Sequence, residues 1–367
     1  MIPSKILNTT KTDYESNPVF LGEQDQGLFD TIHKNHPNIW GFYKEIRSLD
    51  WSEDEFDFSS CNLMFKQCPD DIKDKMIKTL AWQWEADTVA SRQLFAILAP
   101  FVTSDEMTAY LLRVCENEVV HAATYSEIVR MSFDKPEEVL QDILSINESL
   151  QRLETVGKVF EETRIKGLRY ALGELENTQE LYNTVFKFCA TMYALEAIQF
   201  MSSFAITFAI CEAGMFPPIG KAVQKIAQDE YEVHKEFWKD LIKQELKTER
   251  GKIALEQCKD EIEIVLNEIV DSEHTWLKEG MFADGKELVG VNEEICGKWT
   301  LFNAKAVYRS LGIKPKYTMP VKNPLKFMEH WLDISKTQPA PQEEDVAAYK
   351  VGMIKRTDEG KTFLVDF

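Results

Sequence analysis

Apolar residues recur along most of the chain at three- and four-residue intervals, the spacing that gives a helix one buried face. The pattern holds over residues 70–98, 104–132, 136–172, 178–212, 218–246, 251–280 and 292–311, and each stretch is predicted to be a long helix. Pro136, Pro217, Pro218 and Pro315 punctuate them, as residues poorly tolerated inside a helix. Two-residue alternation is nearly absent; MFADGKELVGV (281–291) alone reads as a short hairpin. Residues 1–68 are mixed, with one or two shorter helices. The expected class is therefore all-α. Beyond about residue 332 the character changes: QPAPQEED is a Pro- and acid-rich spacer, and VAAYKVGMIKRTDEGKTFLVDF keeps no period. Residues 1–335 are expected to form one helical domain and 336–367 a flexible tail.

One apolar run decides between two environments. From Phe188 to Cys211, 24 residues, Glu196 is the sole charge. The length could span a bilayer, but a lipid-facing Glu at the midpoint is expensive. Gln199, Ser202 and Ser203 add polarity, and no second candidate span exists. The run reads better as the central helix of a large bundle, apolar on all sides because it is surrounded.

Charge and cysteine usage narrow the partners. The formal net charge is −19 and the pI about 4.9, with no basic cluster to offset them. Nucleic acid and anionic membrane surfaces are disfavoured, since phosphate binding needs a basic patch. Seven cysteines, an odd number with no CxxC pair, suggest a reducing compartment, here cytoplasmic, rather than a disulfide framework. MIPSKILNTTKTDYESN has no apolar core of a signal peptide.

Against that background a few polar residues stand on faces that should be buried. In ENEVVHAATY (116–125), Glu118, His121 and Tyr125 share one side of the helix with the apolar stripe Leu111, Val114/Cys115, Ala122 and Val129. Glu116 and Glu127 fall opposite. Upstream, Asp87 lies on the stripe Leu80, Trp84, Ser91, Leu94 and Leu98, and Glu85 does not. Glu196 is the isolated charge already noted. Downstream, Glu230 and His234 lie on the stripe Val223, Ile226, Phe237 and Leu241. A buried unpaired charge is costly. A lone ExxH would be weak evidence, but here the arrangement is duplicated: one helix gives a carboxylate and the next gives a carboxylate with an imidazole, twice over. Four carboxylates and two histidines from four helices are the ligand set of a ferritin-like helical bundle with a di-metal site. Oxygen donors with a little imidazole suit iron or manganese rather than structural zinc.

At these residues the chain resembles the small (beta, radical-generating) subunit of aerobic class I ribonucleotide reductase, over nearly all its length. The resemblance implies that Asp87, Glu118 and His121 serve one metal and Glu196, Glu230 and His234 the other. The cofactor implied is two iron ions with an O2-derived oxo bridge; manganese pairs share such ligands. Tyr125 would become the stable radical. LEAIQFMSSF looks like the family's central-helix signature, placing Phe200, Phe204 and Ile226 in the apolar pocket around it. DWSEDEFDF resembles the segment that exports the radical, implying Trp51 hydrogen-bonded to Asp229 beside His121. PAPQEEDVAAYKVG resembles the tail with the interface Tyr349 and the acidic Glu343, ending here in FLVDF. The implied partners are the large (alpha) subunit and a second copy of the chain. The implied role is the reduction of ribonucleotides to deoxyribonucleotides for DNA replication. Two positions depart from the pattern. Glu230 and His234 are one residue further apart than the family's ExxH, so either an i,i+4 pair ligates directly or a π-bulge absorbs the extra residue. Four residues before Glu118, where the family often has Trp, stands Val114, which bears on any Trp-mediated electron delivery during cofactor assembly. The alternatives are a stand-alone di-iron oxidase or oxygenase on the same fold, and an iron-storage or structural bundle; the tail separates them from the first reading.

Overall fold

The computed structural model of the chain describes residues 18–22, 29 and 31–333. Helix α1 (Pro37–Ser48) and a 3-10 turn (Glu53–Glu55) lead to α2 (Cys61–Gln67), α3 (Asp70–Leu98), α4 (Asp105–Ser132), α5 (Pro136–Leu144) and α6 (Asn147–Ala171). Helix α7 spans Gln179–Glu212 and contains a π-helical turn at Leu195–Phe200. Helix α8 runs as Pro217–Gln228, a π turn Asp229–His234, and Lys235–Glu245. Helix α9 (Glu249–Thr275) ends in a third π turn, Trp276–Met281, before α10 (Glu293–Ser310) and the short α11 (Phe327–Trp331). No named strand forms among the described residues.

Local chemistry sets the helix starts. Ser104, Thr178, Thr248 and Asn292 each accept a hydrogen bond from a backbone N–H of the first turn of α4, α7, α9 and α10, satisfying donors that have no partner within the helix. Pro37, Pro136 and Pro217 open α1, α5 and α8, where a missing N–H costs nothing.

Three expectations need correction. The helix predicted over 136–172 is two helices. Ser145 bonds its own hydroxyl back to Asp142 O at 2.7 Å, a local bond that competes with helix continuation, and Ile146 adopts an extended backbone. Ile146 then packs on the satellite cluster of Ala81, Val129 and Ile143. The hairpin at 281–291 is a single bridge between Leu288 and Val291 around a tight turn, in which Gly290 takes φ 72°, a conformation that favours glycine. On α3 it is Trp82, not Trp84, that is fully buried.

Helix α7 is the axis of the bundle. Its N-terminal half packs against α6, α8 and α9, and its C-terminal half against α3, while α3 lies along α4. The apolar window long enough to cross a membrane is entirely enclosed by these neighbours, as expected of a central helix. All seven cysteines are free thiols.

Candidate metal centre

Four helices converge on one buried point. Helix α3 contributes Asp87, α4 contributes Glu118 and His121, and the π turns of α7 and α8 contribute Glu196 and, together, Glu230 and His234. All six are buried to within 1 %. The π turn in α8 explains the spacing anomaly. A π turn accommodates one extra residue, so Glu230 and His234, four apart, converge as Glu118 and His121 do three apart in regular helix. Of the two readings left open by the sequence, this backbone has the π insertion. The second π turn, around Glu196, had no signal in the sequence.

The donor atoms fall into two groups, each within 4.8 Å: Asp87, Glu118 and His121, and Glu118, Glu196, Glu230 and His234. Set beside the division that the resemblance implies, the grouping differs in that Glu118 stands in both groups. His121 Nδ1 lies 3.1 Å from Glu230 Oε1, 3.5 Å from Glu118 Oε2 and 3.8 Å from Asp87 Oδ2. His234 Nδ1 lies 2.9 Å from Glu230 Oε2 and 3.3 Å from Glu118 Oε1.

These side chains satisfy one another only in part, through the hydrogen bond between His234 Nδ1 and Glu230 Oε2. Both oxygens of Asp87 and Glu118, Glu196 Oε2, Glu230 Oε1, His121 Nδ1 and His234 Nε2 are buried without a well-formed hydrogen bond. Such atoms are expensive to leave unmatched. Burial, then the charge of Glu118, pushes Asp87 well up, and burial, then Glu230, does the same to Glu196. Burial opposes the imidazolium forms, yet Asp229 and Glu118 outweigh it at His121, and Glu230 outweighs it at His234, whose pKa rises to about 10. Burial would also raise Glu230, but the two imidazoles hold it well below the usual carboxylate range. Two divalent cations would cancel the charge of four carboxylates and occupy the unmatched lone pairs. The donor set therefore fits a pair of iron or manganese ions.

Around the ligands lies an ordered outer layer. Asp229 Oδ2 accepts from Trp51 Nε1 at 2.8 Å, from Asn117 Nδ2 at 3.1 Å and from His121 Nε2 at 3.1 Å. The last contact fixes the His121 tautomer, freeing Nδ1 to ligate. The Trp51 and His121 rings stack at 5.8 Å and 21°. Asn117 was not anticipated from the sequence, although it precedes His121 by one helical turn on the same inward face. Tyr125 is fully buried and its hydroxyl is unpartnered. Burial, then the charge of Asp87, keeps its phenol strongly protonated. Phe200, Phe204 and Ile226 are buried to within 1 %, with Phe200 stacked on Phe204 at 5.8 Å and edge-on to Trp82 at 5.1 Å. Val114 is buried at the position four before Glu118. Tyr349 and Glu343 lie outside the described residues.

With this geometry in hand, comparison with known proteins is specific. The family model described as ribonucleotide reductase, small chain, matches residues 29–324. The chain is 24 % identical to the ribonucleoside-diphosphate reductase 1 subunit beta of Salmonella typhimurium, over 95 % of both chains. It is 23 % identical to the corresponding beta subunit of Enterobacteria phage T4, over 98 % of both. Among solved structures, the R2 subunit from Clostridium botulinum superposes with a TM-score of 0.77 at 18 % identity, covering 91 % of this chain and 99 % of that one. The dimanganese(II)-NrdF of Streptococcus sanguinis gives 0.65 at 14 % identity, covering 83 % and 99 %. The structural matches support the ferritin-like helical bundle expected from the ligand pattern.

Proposed function

We propose a radical-generating role for this chain, which belongs to the ribonucleotide reductase small-chain family. It acts as the beta subunit of a ribonucleoside-diphosphate reductase, beside a large alpha subunit and a second copy of itself. Asp87, Glu118 and His121 would hold one metal and Glu196, Glu230 and His234 the other, with Glu118 within reach of both groups. When bound, the metal pair supplies O2 activation and oxidising power. The side chains do the rest. Tyr125 holds the radical, and the proton on its hydroxyl passes to a carboxylate oxygen of Asp87, which like that hydroxyl is buried without a hydrogen-bond partner. Phe200, Phe204 and Ile226 keep water and reductants away. Asp229 holds the indole N–H of Trp51 and the imidazole N–H of His121 on one oxygen. Export then passes by Trp51 to Tyr349, with Glu343 beside it, and on to a thiol of the large subunit.

The observation that carries this reading over a stand-alone oxidase is the Trp51–Asp229–His121 line. An oxidase acting on its own substrate needs a cavity at the metals, not an indole wired to them. Two surface clefts, of about 390 and 420 Å³, lie elsewhere, with none of the six ligands in their walls.

The test is electron paramagnetic resonance after adding Fe(II) and O2 to the metal-free protein. A tyrosyl doublet is expected, lost in Tyr125→Phe with iron uptake retained. Iron uptake without a doublet, with Mn(II) also giving none, would refute the radical role. For export, Trp51→Phe and Asp229→Ala are expected to keep the doublet. Turnover with the large subunit should fall about 10–100-fold for Asp229→Ala, the usual cost of removing a partner that orients a metal-bound imidazole. Full turnover in both variants would remove this line from the mechanism.

A further inference from the structure

We propose that Tyr110 is a second redox-active tyrosine, the station through which an external one-electron donor reaches the metal centre. The proposal rests on the radical-generating reading and adds a route for electrons coming in.

Tyr110 is fully buried on α4, and its hydroxyl has no hydrogen-bond partner. A core position with no partner for a hydroxyl would be served better by Phe. Its surroundings run from the metal centre to the surface. On the inner side, the charges acting on the phenol are those of Glu196, Glu230 and Glu118, in that order; for Tyr125 the first is Asp87. Along α4 the two buried tyrosines lie on opposite sides of Glu118, Tyr110 before it and Tyr125 after it. Tyr110 precedes Glu118 by eight residues of helix, a rise of roughly 12 Å. On the outer side its ring lies flat on Phe237, centroids 3.5 Å apart at 19°. Phe237 follows His234 by one turn and meets Phe42 edge-on at 5.7 Å. Phe42, with Glu45, Lys239 and Lys243, lines the surface cleft of about 390 Å³.

Electron counting shows the need. Reduction of O2 to water takes four electrons. Two metal ions each rising by one oxidation state give two, and Tyr125 gives a third. The fourth comes from a soluble one-electron reductant, such as ascorbate or excess ferrous ion, in the cleft. Tyr110 gives one electron to the oxidised centre. Its O–H bond breaks, and the proton passes to Glu45 in the cleft wall. The reductant returns one electron, the proton comes back from Glu45 and the O–H bond re-forms. The metal centre has gained one electron, the reductant has lost one, and Tyr110 is unchanged.

Two measurements test this. Tyr125→Phe protein is mixed with Fe(II) and O2 without reductant and freeze-quenched for electron paramagnetic resonance. A transient tyrosyl signal is expected, narrowed by ring-deuterated tyrosine and absent when Tyr110 is also Phe. A signal that persists in the double variant, or no signal at all, overturns the proposal. Second, Tyr110→Phe in the otherwise native chain should fold and take up iron normally, since no hydrogen bond is lost. Its Tyr125 radical yield should no longer respond to ascorbate, as the parent's does. An unchanged ascorbate response overturns the electron-input role alone, whereas a parent chain with no doublet refutes the radical-generating reading itself.

Discussion

Replacing Arg152 with Met is expected to lower the unfolding free energy by about 3–5 kcal/mol, the usual cost of stranding one member of a buried ion pair. Arg152 on α6 is completely buried. Its Nε and one terminal nitrogen donate to the two oxygens of Glu273 at 2.5 and 2.6 Å, and that terminal nitrogen also donates to Gln199 O at 2.7 Å. The guanidinium lies between the Trp82 and Trp276 rings, 3.7 and 3.8 Å from their centroids. Burial disfavours its charged form, and Glu273 opposes that pull. The loss would be read from the denaturant midpoint. Changing Glu273 to Leu as well should recover most of it, because the stranded carboxylate is the main cost. A single variant as stable as the parent would show that the pair holds nothing together. The consequence extends to the metal site. Gln199 and Glu196 share the π turn of α7, and Trp276 opens that of α9. Arg152 therefore ties two irregular turns together, so its loss should also weaken metal binding on the Glu196 side.

None of that was legible in the sequence. Arg152 sits in a stretch rich in Glu, Lys and Arg that reads as a solvated face, and its partner lies 121 residues away. Long-range pairing leaves no trace in local periodicity. The π turns at 195–200 and 276–281 were equally silent, because the residues that stabilise them come from other helices. By contrast, α3 and α4 were readable almost to the residue. A charge such as Glu196 in an apolar run shows itself by what surrounds it, and the duplicated carboxylate–imidazole pattern is local to each helix. The turn at 229–234 is the intermediate case: one residue too many between Glu230 and His234 signalled an irregularity but not its form. Trp51 and Asp229 were paired only through resemblance, since no spacing rule joins residues 178 apart.

Removing the metals should destabilise the folded chain, and by more at high pH than at low. A ligand at about 1,000 times its dissociation constant stabilises by about 4.1 kcal/mol per site, so a chelator should lower the thermal midpoint substantially. The pH dependence follows from the ligands. In the metal-free chain His121 and His234 are held protonated, His234 with a pKa of about 10, and Asp87 and Glu196 are pushed up as well. For His234 the folded value exceeds that of the unfolded chain, about 6.5. Its protonation thus contributes stability that is fully present below about 6.5 and lost as pH rises toward 10. His121, Asp87 and Glu196 carry the same sign, each losing its contribution as pH rises through its raised value; Glu230, held low, runs the other way. Metal binding requires the deprotonated ligands and expels these protons. Loaded protein therefore gains relative to metal-free protein as pH rises. Calorimetric titration with Fe(II) under argon, or with Mn(II), should show net proton release and tighter binding at about pH 8 than at about pH 6, on either side of the ordinary histidine pKa. Binding without proton release would mean that the imidazoles and raised carboxylates are not the groups the metals displace protons from, and the assignment of the cluster as a di-metal site would fail with it.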